Sequence, residues 1–143
     1  MLKISVSSLF DHLESFNDHV VFQEPQTENF LYSDLLKISD KISDCLSSSE
    51  TIAFQCNNTK DAIACYVACI RSKVIPILLE ESVEKAKLFY FAKQFSSRYI
   101  FCQNKDCPPG YKKILEIGHF SIFENPSLSL KDSIHNDVAL LIT

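Results

Sequence analysis

The stretch from Thr51 to Glu81 constrains the fold more than any other part of the chain. It reads TIAFQCNNTKDAIACYVACIRSKVIPILLEE, as strand, turn, helix, turn and strand. Thr51 to Gln55 is β-branched and apolar, and Asn57, Asn58 and Thr59 supply a turn and a helix cap. From Asp61 onward, Ile63, Tyr66, Val67 and Ile70 recur at the spacing of one helical face. Val74 to Leu79 is a continuous apolar run, the pattern of a strand covered on both faces. Strand, crossover helix and second buried strand form a βαβ unit, which requires a parallel pair. Ile52, Phe54, Ile63, Val67, Ile70, Ile75, Ile77 and Leu78 are the expected core of this unit.

The flanking segments extend the pattern. Ser5 to Phe16 is expected to be a helix with Leu9, Leu13 and Phe16 on one face. His19 to Gln23 and Phe30 to Tyr32 flank the turn EPQTEN and form a small antiparallel hairpin. Ser33 is the expected cap of a second helix running to about Leu46, with Asp34 in its first turn. A third helix covers Val83 to Phe95, with Leu88, Phe91 and Phe95 inward and Tyr90 at the core edge. Arg98 to Cys102 is a strand and Gln103 to Gly110 a surface loop. Lys112 to Ile117 and Phe120 to Phe123 are short strands, Glu124 to Asn136 is irregular, and Asp137 to Thr143 is an apolar strand. The expected fold is α/β: three layers, a mainly parallel sheet with helices on both faces, and a small N-terminal hairpin.

Composition narrows the function. The 143 residues fit one domain, large enough for a substantial core. Net charge is −4 with scattered Lys and Arg, so the basic footprint of a nucleic-acid binder is missing. The longest uninterrupted apolar run, Ala62 to Ile70, is nine residues, against the roughly 20 of a membrane-spanning helix. The N-terminus lacks the pattern of a signal peptide, so a cytoplasmic location is expected. The only glycines are Gly110 and Gly118, from which no glycine-rich phosphate loop can be written.

No catalytic, cofactor-binding or metal-binding residue emerges from the spacings. The six cysteines (Cys45, Cys56, Cys65, Cys69, Cys102 and Cys107) include no C-x-x-C pair. Cys65 and Cys69 share a helical face, but further ligands at motif spacing are absent, so free, metal-free thiols are expected. His12, His19, His119 and His135 are isolated, and there is no nucleophile-elbow motif. Asn57-Asn58-Thr59 matches a glycosylation sequon, but capping is the simpler role.

Four segments together resemble the N-terminal part of the adenylate-forming superfamily: acyl-CoA synthetases, adenylation domains and luciferase-like ligases. Phe30-Leu31-Tyr32-Ser33-Asp34-Leu35 is similar to the Thr-Tyr-x-Glu-Leu that opens the family's first long helix. Thr51 to Thr59 is similar to its strand ending in Asn and a small hydroxyl residue. Ala68 to Leu79 resembles its Ala-x-x-Lys-Ala-Gly-Ala-x-x-Val-Pro-Leu, and Asp137 to Thr143 the strand feeding its Ser/Thr/Gly-rich phosphate loop. Lys73 replaces the family glycine, at a cost of about 1 kcal/mol if that turn needs a positive φ. Glu80 stands where the family tends to have Asp-Pro.

The resemblance implies that residues 1–143 are the N-terminal subdomain of a larger enzyme, ending before the phosphate loop. That enzyme would use ATP and Mg to activate a carboxylate as an acyl-adenylate and pass it to an acceptor, often a thiol. Its catalytic residues would lie in the remainder of the polypeptide, and this fragment alone would be inactive. The alternative is a non-catalytic α/β binding or interaction module.

Overall fold

A computed structural model describes residues 10–23, 28–129 and 141–142. Its main sheet has six strands in the order β6-β7-β5-β3-β4-β8. These are β3 (Thr51–Gln55), β4 (Ile75–Leu79), β5 (Tyr99–Gln103), β6 (Lys112–Ile117), β7 (Phe120–Glu124) and β8 (Leu141–Ile142). A separate hairpin pairs β1 (Val20–Phe22) with β2 (Phe30–Leu31). The helices are α1 (Tyr32–Ser43), α2 (Lys60–Arg71) and α3 (Lys85–Gln94).

The βαβ unit forms as expected: β3 and β4 pair in parallel from Thr51↔Ile75 to Gln55↔Leu79. β5 pairs parallel to the other side of β3, and β8 parallel to the outer side of β4. β7 and β6 then add antiparallel to β5, joined by the tight turn at Gly118–His119. The sheet is therefore mixed, with its parallel part at the centre.

Strand alternation divides the core. Ile52, Phe54, Tyr99, Phe101 and Ile122 face the layer of α1 and α2. Ala53, Ile77, Leu79, Ile100, Cys102 and Phe123 face α3. Phe54, Phe101 and Phe120 stack in sequence at centroid separations of 4.7 and 5.2 Å. Such offset ring pairs add to the stabilisation from burial.

α2 is wedged between the sheet and α1, so its buried surface is wider than the expected stripe. Small residues do the close packing: Ala62, Ala64, Cys65, Ala68 and Cys69 are all buried, together with Val67 and Ile70. Ile63 and Tyr66 are only half-buried, as are Ile75 and Leu78 on β4. Among the described residues, the outer side of β4 pairs with β8 through Ile77↔Leu141 and Leu78↔Ile142. Arg71 ties the two helices of this layer, donating to Ser39 Oγ and Asp40 Oδ1 at 3.1 Å each.

Other expectations shift. The first helix is a single 3₁₀ turn over Leu13–Phe16 where it can be seen; residues 5–9 lie outside the described residues. α1 starts one residue before Ser33, and its start is held by Asp34 Oδ2, which accepts the Leu31 N–H at 3.1 Å. On α3 the buried residues are Leu88 and Ala92, Phe91 and Phe95 are half-buried, and Tyr90 is 61% exposed. Tyr90 therefore faces solvent, because α3 lies on the sheet along one narrow face only. The irregular segment expected over 124–136 is described only to residue 129, and of the strand expected over 137–143 only Leu141–Ile142 is described.

Candidate functional site

Parallel α/β sheets bind ligands outside the carboxyl ends of their strands, where loops and helix N-termini converge. Here that edge gathers the end of β3, the start of α2, the end of β5 and the β6–β7 turn.

At β3 the chain leaves the sheet through Cys56, whose N–H still donates to Leu79 O at 2.8 Å. Asn57 closes the turn: its Nδ2 donates to Gln55 O at 3.3 Å and its Oδ1 accepts the Thr59 N–H at 3.2 Å. Thr59 Oγ1 donates to that same Oδ1 and accepts the Ala62 N–H at 3.2 Å. The expected cap is thus Thr59, and Asn57 holds the hydroxyl in place. Gln55 reaches across to the turn after β4, donating from Nε2 to Glu81 O at 3.0 Å.

At β5 the edge opens into a cleft of about 400 Å³ lined by Gln103, Asn104, Lys105, His119 and Phe120. Asn104 fixes its frame. Its backbone N–H donates to His119 O at 3.0 Å, and its Nδ2 donates to Gly118 O at 3.0 Å and Glu116 Oε1 at 3.2 Å. Its Oδ1 accepts from the Ser121 hydroxyl. Gly118 has φ +59, and a Cβ there would lie 3.2 Å from Asp61 Cγ, so the turn and the start of α2 are packed together. Only glycine fits both the conformation and the contact.

The sequence offers no signal for this cleft: Gln103 to Lys105 read as loop and His119 as isolated. The antiparallel return of β6 and β7 juxtaposes them. Among the described histidines, His12 and His19 lie elsewhere, near the hairpin; His135 is outside the described residues.

The cysteines are all free. Burial pushes the thiols of Cys45, Cys56 and Cys65 up, the last strongly, and Cys102 up to about 12. These four are poor nucleophiles and poor thiolate ligands. Among the described residues, no three His, Cys, Asp or Glu side chains cluster as a metal site. The described residues also do not fit the phosphates of ATP. Thr59 fills the start of α2 with its own hydroxyl, so that helix N-terminus is already capped.

No protein-family model and no curated protein sequence matches the chain. Solved structures do. MatB from Rhodopseudomonas palustris superposes with a TM-score of 0.60 at 17% identity, over 71% of this chain and 21% of MatB. The fold is that of the N-terminal part of adenylate-forming ligases. The N-terminal subdomain of Klebsiella oxytoca NpsA, bound to 3-hydroxybenzoyl-AMSN, gives 0.56 at 14% identity, over 67% of this chain and 26% of that one. The anthranilate CoA ligase AuaEII, bound to anthranoyl-AMP, gives 0.57 at 7% identity, over 68% of this chain and 20% of the ligase. At such identities the likeness to the adenylate-forming ligases is one of fold. This chain spans between a fifth and about a quarter of those three proteins.

Proposed function

We propose that this chain is the N-terminal subdomain of an ATP-dependent, AMP-forming ligase that activates a carboxylate as an acyl-adenylate, of the acyl-CoA synthetase or adenylation-domain type. One observation carries this reading. The α/β fold superposes, over 71% and 68% of this chain, on 21% and 20% of two adenylate-forming ligases, one of them holding anthranoyl-AMP. On this reading ATP, Mg, the carboxylic acid and the thiol acceptor are bound by the complete ligase. No chemical step is assigned to a residue of this segment.

Its part is positional. β3 and β4 are locked in register over five residue pairs, and β4 carries β8 through Ile77↔Leu141 and Leu78↔Ile142. A strand so held delivers its following backbone to the carboxyl edge, where a phosphate-binding loop is useful.

The test is pyrophosphate exchange by the protein expressed with its downstream coding sequence, across a panel of carboxylic acids. Acid-dependent exchange that disappears when residues 1–143 are deleted supports the reading. A folded full-length protein that exchanges with no acid, or a downstream sequence without a Ser/Thr/Gly-rich loop, sinks it and leaves an α/β interaction module. The segment alone is expected to show no micromolar ATP binding by calorimetry.

A further inference from the structure

The cleft beside β5 carries polar side chains to which nothing above assigns a role. Three of its lining side chains, Gln103, Lys105 and His119, have no hydrogen-bond or ion-pair partner among the described residues. They line the cleft together with Phe120, which is itself buried and stacked on Phe101 at 5.2 Å. The frame is fixed beforehand by the four hydrogen bonds of Asn104 and by the packing of Gly118 on Asp61. The backbone frame is preformed, whereas the unpartnered Gln103 and Lys105 side chains lose rotamer freedom on binding, which keeps the affinity low.

We propose that this cleft binds a small oxyanion, the terminal phosphate or carboxylate of a metabolite. The Lys105 ammonium would supply the charge, with the Gln103 amide and a ring N–H of His119 as donors. All three can donate, and the ammonium is a donor only, which selects an acceptor-rich, negatively charged group. Glu116, the nearest carboxylate on β6, is already paired with Lys113 at 3.3 Å and with Asn104. Asp61, packed against Gly118, is itself engaged within the fold. With one full positive charge in an open cleft, the dissociation constant is expected to be on the order of 1 mM. The inference rests on the cleft alone and does not depend on the ligase reading.

The test is an NMR titration of the ¹⁵N-labelled chain with inorganic phosphate and, separately, with acetate, against sodium chloride at equal ionic strength. Saturating shifts confined to the amides of residues 103–105 and 118–120 are expected. Saturation by phosphate alone assigns a phosphate site, by acetate alone a carboxylate site, and by both a general oxyanion site. Lys105→Gln should weaken binding by about tenfold, the loss of one charge-assisted hydrogen bond. Lys37→Gln, on exposed α1 surface, should leave it unchanged. Lys105 and His119 are exposed, so neither Lys105→Gln nor His119→Gln should move the urea midpoint. Shifts reproduced by chloride, shifts that never saturate, or a Lys105→Gln chain that binds as the parent does would overturn the proposal.

Discussion

Replacing Lys73 by glycine should make the protein more stable. α2 ends in a tight reversal: the Val74 N–H donates to Cys69 O at 2.9 Å and the Lys73 N–H to Ile70 O at 3.3 Å. That pattern is a Schellman motif, and it places Lys73 at φ 57, in the left-handed region. A residue with a Cβ is disfavoured there by about 1–2 kcal/mol. Glycine removes that strain but brings an unfolded-state entropy cost of about 0.5–1 kcal/mol. The Lys73 side chain is exposed and makes no ion pair, so nothing else is lost. The net gain therefore lies between about 0 and about 1.5 kcal/mol.

The neighbouring residue supplies the control. Ser72 has φ −86, which any residue adopts, so Ser72→Gly should only lose stability, by about 0.5–1 kcal/mol. Urea unfolding with unchanged slope would read the two variants as midpoint shifts of opposite sign. If Lys73→Gly destabilised the chain as Ser72→Gly does, the left-handed assignment and the strain attributed to it would both be wrong. Ser96, at φ 48, ends α3 with the same pair of bonds, Ser97 N–H to Ala92 O at 2.7 Å and Ser96 N–H to Lys93 O at 3.1 Å. Ser96→Gly should behave like Lys73→Gly.

Other expectations follow from burial. Ile52→Ala, at a fully buried position under α2, should cost about 2–5 kcal/mol, and Ile63→Ala, half-buried, less than that; equal losses in urea unfolding would contradict the placement of α2. Stability should fall as pH rises from about 9 toward 12. Burial raises Cys102 from 9.0 and Tyr111 from 10.0, each to about 12 in the fold, so the unfolded chain ionises first and is favoured across that window. Alkaline unfolding curves with constant midpoints from pH 8 to 11 would refute this. A thiol reagent should modify the exposed Cys107 rapidly and Cys65, Cys69 and Cys102 only on unfolding, with all six titrated in denaturant without reductant.

The fold was legible where local pattern and tertiary context agree. β3, α2 and β4 carry their own periodicities and the Thr59 cap, and each formed where those signals placed it. The misreading of α2 has a physical cause. A helical stripe of large residues predicted the buried face of α2, whereas α2 is covered on two sides and uses Ala62, Cys65, Ala68 and Cys69 for its closest contacts. Ala and Cys carry weak hydrophobic signals, so a helix buried between a sheet and another helix is misread as amphipathic. Lys73 was legible through its resemblance to a glycine position, which flagged a turn that the backbone then adopts.

The cleft was illegible for a different reason. Gln103 and His119 are sixteen residues apart in sequence, and nothing local marks either. They meet because β7 runs antiparallel to β5, pairing Gln103 with Phe120 and turning His119 back over the carboxyl edge. Antiparallel strands added to a parallel sheet bring a hairpin turn to the edge where the parallel strands end. At the centre of the sheet that edge is served by the start of α2, which Thr59 already caps. At its β5 side it is served by a turn whose framework bonds are satisfied by Asn104, leaving neighbouring side chains without partners. A backbone satisfied by one residue frees its neighbours for something outside the chain. That division of labour, Asn104 holding and Lys105 and His119 open, marks the cleft as a place to look for a ligand.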